Sequence, residues 1–180
     1  MKTKVFCIGF HKTGTKSLGE ALGILGYRVT GPNGVKDPSV ADNVWAMAQD
    51  LVERYDAFQD NPWPILYREL DERYPGSKFV LTQRDTQAWL KSQIMHFGQQ
   101  ITPMREWIYG VGCPVGNEQV YLERFERHYL EVGEYFQGRP QDLLVMDLAR
   151  GDGWERLCPF LGVEIQAIPF PHTNKASDRP

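Results

Sequence analysis

The sequence lacks the features that would place it in a specialised class of protein. Its three cysteines, Cys7, Cys113 and Cys158, are widely spaced and odd in number. They show no C-x-x-C or other metal-ligand spacing, which argues against a disulfide framework or a zinc module. Reduced thiols in a cytoplasmic protein are the expectation, with Cys7 a small core residue in an apolar run. No stretch approaches the roughly 18 apolar residues of a membrane span. The opening MKTKVFCI is too short and too quickly interrupted for a signal peptide. There is no excess of positive charge either. Twenty Lys and Arg against 23 Asp and Glu give a net charge of -3. That argues against a general nucleic-acid binder but leaves room for a local basic pocket. Internal repeats and low-complexity segments are absent. What remains is an ordinary globular composition, 42% hydrophobic and 24% charged over 180 residues. One domain spanning 1–180 is large enough to bury its own core.

Strand and helix signals alternate along the chain. Val5 to Gly9 reads as a buried strand, since buried parallel strands are continuously apolar. Helical patterning follows from Ser17 to Leu25, with Gly26 as a stop. Tyr27 to Thr30 reads as a second strand. Val40, Val44, Met47, Leu51 and Tyr55 recur at helical spacing. Asp56 to Gln59 is a weak third strand, followed by a helix near Ile65 to Tyr74 that stops before Pro75. Lys78 to Gln83 is a strong strand, and Thr86 to Phe97 a helix. Residues 98–117, with four glycines and two prolines, read as a long loop, expected to be an acceptor-side lid. Leu122, Phe125, Tyr129, Val132 and Phe136 mark an amphipathic helix. Leu143 to Met146 is a last strand and Trp154 to Leu161 a last helix. This order predicts an α/β domain with a mostly parallel sheet and right-handed crossovers. Ligands in such sheets bind beyond the carboxyl ends of the strands.

One such end carries "GFHKTGTKSL", residues 9–18. A nucleotide-binding loop reads G-x-x-x-x-G-K-S/T, with lysine directly after the second glycine. Here Gly9 and Gly14 are correctly separated, but Lys12 precedes Gly14, and Thr15 stands between Gly14 and Lys16-Ser17. The amides from Lys12 to Ser17 would line one concavity at a helix N-terminus, which adds partial positive charge. Thr13, Thr15 and Ser17 supply hydroxyls, and Lys12 and Lys16 supply charge, so an anion with several oxygens is expected. The bland alternative is a strand–turn–helix junction with Ser17 as N-cap. Lys12, projecting from the turn, would reach a bridging oxygen on which charge develops as a bond breaks. The FVLT strand ends in Gln83-Arg84, without a convincing metal carboxylate. Arg84 and Ser92, eight residues apart, can face one point and suit a second phosphate. Each taken alone reads equally as a surface residue.

With both motifs in place, the chain resembles the sulfotransferases that use 3′-phosphoadenosine 5′-phosphosulfate (PAPS), in particular a short bacterial-type branch with loops of the "GFHKTGT-SL" kind. The resemblance runs from the first strand to residue 97, resumes at "PFPHTNK", and is weak over 98–140. It implies a P-loop-type three-layer α/β/α domain. It also implies in-line transfer of a sulfuryl group from PAPS to a hydroxyl or amine of a small-molecule or glycan acceptor, with no metal required. Lys12 would stabilise the leaving oxygen. Lys12, Thr13, Gly14, Thr15, Lys16 and Ser17 would hold the 5′-phosphosulfate. Arg84 and Ser92 would hold the 3′-phosphate, with Lys175, or Arg179, as a further basic contact.

The general base is less defined, since it must lie within hydrogen-bond reach of the acceptor. Asp60, just past the third strand, is the candidate, against a turn role in D-N-P. His11 would contact the acceptor or simply pack. His96 reads as a solvated helix histidine, His172 as a structural brace and His128 as a residue of the long helix. The five tryptophans read as core, although Trp89 could stack near an adenine, and Trp107 and Tyr109 could line an acceptor pocket. Two other readings remain: a P-loop small-molecule kinase, and a non-catalytic nucleotide-binding relative.

Overall fold

The computed structural model describes residues 2–172. Five strands form one all-parallel sheet in the order β2-β3-β1-β4-β5. In chain order the elements are β1 (Val5–Cys7), α1 (Thr15–Ile24), β2 (Val29–Thr30), α2 (Val40–Arg54), β3 (Ala57–Phe58), α3 (Tyr67–Arg73) and β4 (Lys78–Thr82). They continue with α4 (Thr86–Phe97), α5 (Pro103–Tyr109), α6 (Glu118–Tyr135), β5 (Leu143–Met146) and α7 (Trp154–Leu161). The expected α/β class and parallel sheet are therefore found, as are the boundaries of α4, β5 and α7.

Side chains on a strand alternate between faces, and that alternation builds two cores. On β1, Phe6 packs in the larger core with Phe58, Phe79, Trp63 and Trp89, while Val5 and Cys7 join the smaller one with Leu18, Leu22 and Trp154. The larger core is closed by residues of α2 to α6, the smaller by residues of α1 and α7. The result is the expected three-layer α/β/α arrangement. Among the described residues, no helix is long and apolar enough to cross a membrane.

Two local expectations are corrected. Helix α1 starts earlier than predicted: its N-cap is Gly14, at φ 101 in the left-handed region, so Ser17 lies inside the first turn and is buried. The reading of Ser17 as N-cap thus fails. Glycine takes this conformation without the steric cost of a Cβ. Residues 98–117 are not a continuous loop, because they contain α5. Thr102 caps it by accepting from the Arg105 amide, Pro103 occupies its first turn, and Gly110 ends it at φ 74. Met104, Arg105, Ile108 and Tyr109 of this segment are buried. The Arg105 guanidinium ties the segment at both ends, Nε donating to Gly112 O at 3.0 Å and Nη2 to Gln100 O.

Candidate active site

The sheet order puts β1 between β3 and β4, so three loops meet at one carboxyl edge. The loop after β1 (residues 8–14) is flanked by Asp60 after β3 on one side and Arg84 after β4 on the other. Residues 45 to 72 positions apart in sequence are joined there directly. The Thr15 hydroxyl donates to Asp60 Oδ2 at 2.9 Å, and Arg84 Nη1 donates to the Lys12 carbonyl at 3.0 Å.

Among the described residues, the non-glycine positions with positive φ are Lys12 (φ 70) and Asp60 (φ 65). Such a backbone is uncommon for residues with a Cβ, and strained residues concentrate at functional sites. Asp60 is held there by the Asn61 amide, which donates to its Oδ1 at 2.8 Å. Both Lys12 and Asp60 are half-buried, whereas Lys16 is exposed on α1. The α1 ladder begins with Leu18 N donating to Gly14 O at 3.0 Å. The amides of Thr15, Lys16 and Ser17 lie in the turn before it, where an α-helix offers no carbonyl partner.

Thr13 differs from expectation. Its hydroxyl donates to Phe10 O at 2.6 Å and pairs with Thr82 Oγ1 at 2.6 Å, and its amide donates to Phe10 O at 3.3 Å. Its side chain is spent fastening the loop to β4 instead of facing an anion. Tyr129 reinforces the same strand end, its hydroxyl donating to Thr82 O at 2.6 Å.

His11 is almost fully buried. Asn61 Nδ2 donates to its Nδ1 at 3.0 Å, which leaves the ring proton on Nε2, 3.4 Å from the Tyr109 hydroxyl. Burial pushes the imidazole pKa below its usual range, opposed in part by the Asp60 charge. His11 is thus neutral near pH 7, but its basic lone pair is already occupied. Trp89 is also fully buried, stacked on Phe125 at 4.0 Å, with Nε1 donating to His11 O at 2.9 Å. Stacking of Trp89 on an adenine is excluded by that burial. Tyr109 lies beneath the loop, stacked on Tyr121 at 3.9 Å, and Trp107 is half-buried.

Ser92 is half-buried on α4, next to Gln93, whose side chain reaches the loop. A groove of about 410 Å³ opens beside Arg84, between Thr86 and the Phe125, Tyr129 and Leu130 side chains of α6. His96 and His172 are exposed. Lys175 and Arg179 lie outside the described residues.

His128 lies on the long helix, as expected, and there makes a contact that the sequence does not announce. It is fully buried, stacked on Phe10 at 4.4 Å, with Nε2 donating to Ile8 O at 2.7 Å where β1 becomes the loop. The available signal was its place on the apolar stripe, three residues after Phe125 and four before Val132. Burial drives its pKa from 6.5 down to about 4. The unfolded chain then takes up a proton near pH 6.5 that the folded protein refuses until about pH 4. Stability present above pH 6.5 is lost as pH falls through that window, by up to about 3 kcal/mol. Urea midpoints measured from pH 7 to pH 4 should show a shallower fall for His128→Gln than for the wild type.

An all-parallel α/β/α domain with a loop-to-helix junction at its central strand, flanked by a carboxylate and an arginine, defines the class. The chain belongs to the sulfotransferase domain family, whose model matches residues 4–115 and 94–179. It is also similar to Ava biosynthesis cluster protein M of Aspergillus versicolor, with 24% identity over 212 aligned positions covering 94% of this chain and 80% of that protein. An alignment longer than the chain itself means that the relative carries insertions. Family membership supports a sulfotransferase-type function.

Proposed function

We propose that the protein transfers a sulfuryl group from PAPS to a hydroxyl or amine of a small acceptor, with Lys12 and Asp60 as the catalytic pair. The carrying observation is that these two residues hold left-handed backbones in the loops after the adjacent strands β1 and β3, which the Thr15–Asp60 hydrogen bond ties together. The acceptor oxygen or nitrogen forms a bond to sulfur as the bond from sulfur to the bridging phosphate oxygen breaks. Asp60 takes the acceptor proton, and the Lys12 ammonium offsets the charge gathering on the leaving oxygen. The first-turn amides of α1 and its dipole bind the 5′-phosphate. Arg84 offers a second phosphate the guanidinium donors that Lys12 O does not use. His11 serves to hold the loop, since its accepting nitrogen is taken by Asn61 and its ring is sealed from solvent.

Binding of adenosine 3′,5′-bisphosphate without magnesium, followed by calorimetry, tests the donor assignment. Stabilisation only by magnesium-ATP would favour the kinase reading instead. Arg84→Ala should weaken the bisphosphate by about 10- to 100-fold, as expected for a charge-assisted bond. Adenosine 5′-phosphosulfate, which has no 3′-phosphate, should lose much less. Equal losses for the two ligands would remove Arg84 from the 3′-phosphate site.

A further inference from the structure

We infer that Gln93 and Trp89 are positioning residues for Lys12. By gripping the carbonyl of His11, they keep the Lys12 backbone left-handed and turn its N–H towards the anion concavity. This inference rests on the anion-site reading of the loop given above.

Two donors from successive turns of α4 converge on one oxygen: Trp89 Nε1 at 2.9 Å and Gln93 Nε2 at 3.0 Å from His11 O. Both side chains are fully buried. Two bonds use both lone pairs of that carbonyl. The His11–Lys12 peptide is trans and planar, so its N–H points opposite to its C=O, away from α4. The next carbonyl, that of Lys12, is drawn to Arg84 Nη1 at 3.0 Å. Three donors within residues 84–93 thus fix the peptides on both sides of Lys12. A lysine at φ 70 without such restraint would relax to negative φ.

Gln93 also carries a cost that packing alone does not justify. Its Oε1 is buried without a close hydrogen bond among the described residues, its one polar neighbour there being the His11 imidazole, whose pKa the Gln93 side chain raises. An unpartnered buried oxygen is destabilising, so a methionine or leucine would suit the core better. The amide nitrogen makes the close bond of this side chain, and what it holds is the loop.

Gln93→Met keeps the volume and removes both the clamp and the orphaned oxygen. The expected result is a denaturation midpoint equal to or above that of the wild type, with about tenfold weaker binding of inorganic pyrophosphate in metal-free buffer. In the free protein, the Lys12 Cα and Cβ shifts should leave left-handed values. Trp89→Phe, which keeps the ring against Phe125 but loses the N–H, should move both readouts the same way. Unchanged Lys12 shifts with wild-type pyrophosphate affinity in the two variants would overturn the clamp. If the wild type bound neither pyrophosphate nor adenosine 3′,5′-bisphosphate, the anion reading would fail. The Lys12 shifts of the ligand-free variants would still decide whether the clamp exists.

Discussion

Lys12→Ala is expected to lower sulfuryl transfer by about 100- to 1,000-fold while changing affinity for adenosine 3′,5′-bisphosphate only severalfold. The asymmetry follows from where the cation acts. In the proposed reaction, negative charge on the bridging oxygen grows only as the sulfur–oxygen bond breaks, so an ammonium fixed beside it favours the transition state over the bound donor. The product would keep its proposed contacts with the first turn of α1 and with Arg84, so binding should survive. The backbone supplies an internal control. Lys12 sits at φ 70, where a Cβ is strained by roughly 1–2 kcal/mol, and glycine is not. Lys12→Gly should therefore be more stable than Lys12→Ala in urea, and just as inactive. Single-turnover transfer of labelled sulfate, compared with calorimetry on the bisphosphate, separates the two effects. Equal losses in turnover and in product affinity would make Lys12 a binding residue and nothing more.

What was legible in the sequence was whatever repeated or punctuated. The apolar runs of β4 and β5, the helical spacing of α2 and α6, and Gly14 beside two lysines were local signals, and they located the loop correctly. The contacts that shape the loop were not local. Asp60 meets Thr15 and Arg84 meets Lys12 only because β1 lies between β3 and β4, His128 on α6 reaches Ile8 from 120 residues away, and neither strand order nor helix docking is written in any single segment. Helix α5 was hidden for a different reason. Seven residues are too few to show a period, and the glycines around them gave the stretch the look of a loop. Its signature was the Thr102-Pro103 start and the Gly110 stop, which is a capping signal and not a hydrophobic one.

Thr13 and Trp89 show a second limit. Both residue types suit a ligand, a hydroxyl for phosphate and an indole for a base; the sequence points Thr13 to that use and, while placing Trp89 in the core, leaves it open there. In the folded chain Thr13 Oγ1 is bound to Phe10 O and Thr82 Oγ1, and Trp89 Nε1 to His11 O. A loop that presents its amides must have its carbonyls and hydroxyls satisfied from behind, because buried polar groups need partners. Candidate ligand residues next to a phosphate-type loop therefore divide into those facing the anion and those holding the loop. Side-chain chemistry alone does not separate them.

Gly9→Ala should cost about 3 kcal/mol or more, a large share of the roughly 5–15 kcal/mol that holds a domain folded. A Cβ added at Gly9 would lie 2.0 Å from Thr82 Oγ1, 2.5 Å from Thr82 O and 2.8 Å from Thr82 N. The hydroxyl could rotate away, but the other two atoms are backbone at the end of β4. Moving them would pull apart Thr82 O and the Tyr129 hydroxyl, and would loosen the Thr13–Thr82 link that fastens the loop. The glycine at this position is therefore required by the close approach of β1 and β4, before any ligand is considered. The explanation makes a sharper claim about a double variant. If the hydroxyl were the obstacle, Thr82→Ala would rescue Gly9→Ala; because the obstacle is backbone, rescue should recover little of the lost stability. Urea denaturation of the two single variants and the double variant measures this. Near-complete rescue would show that the strands can separate locally, and that the glycine serves the loop instead of the sheet.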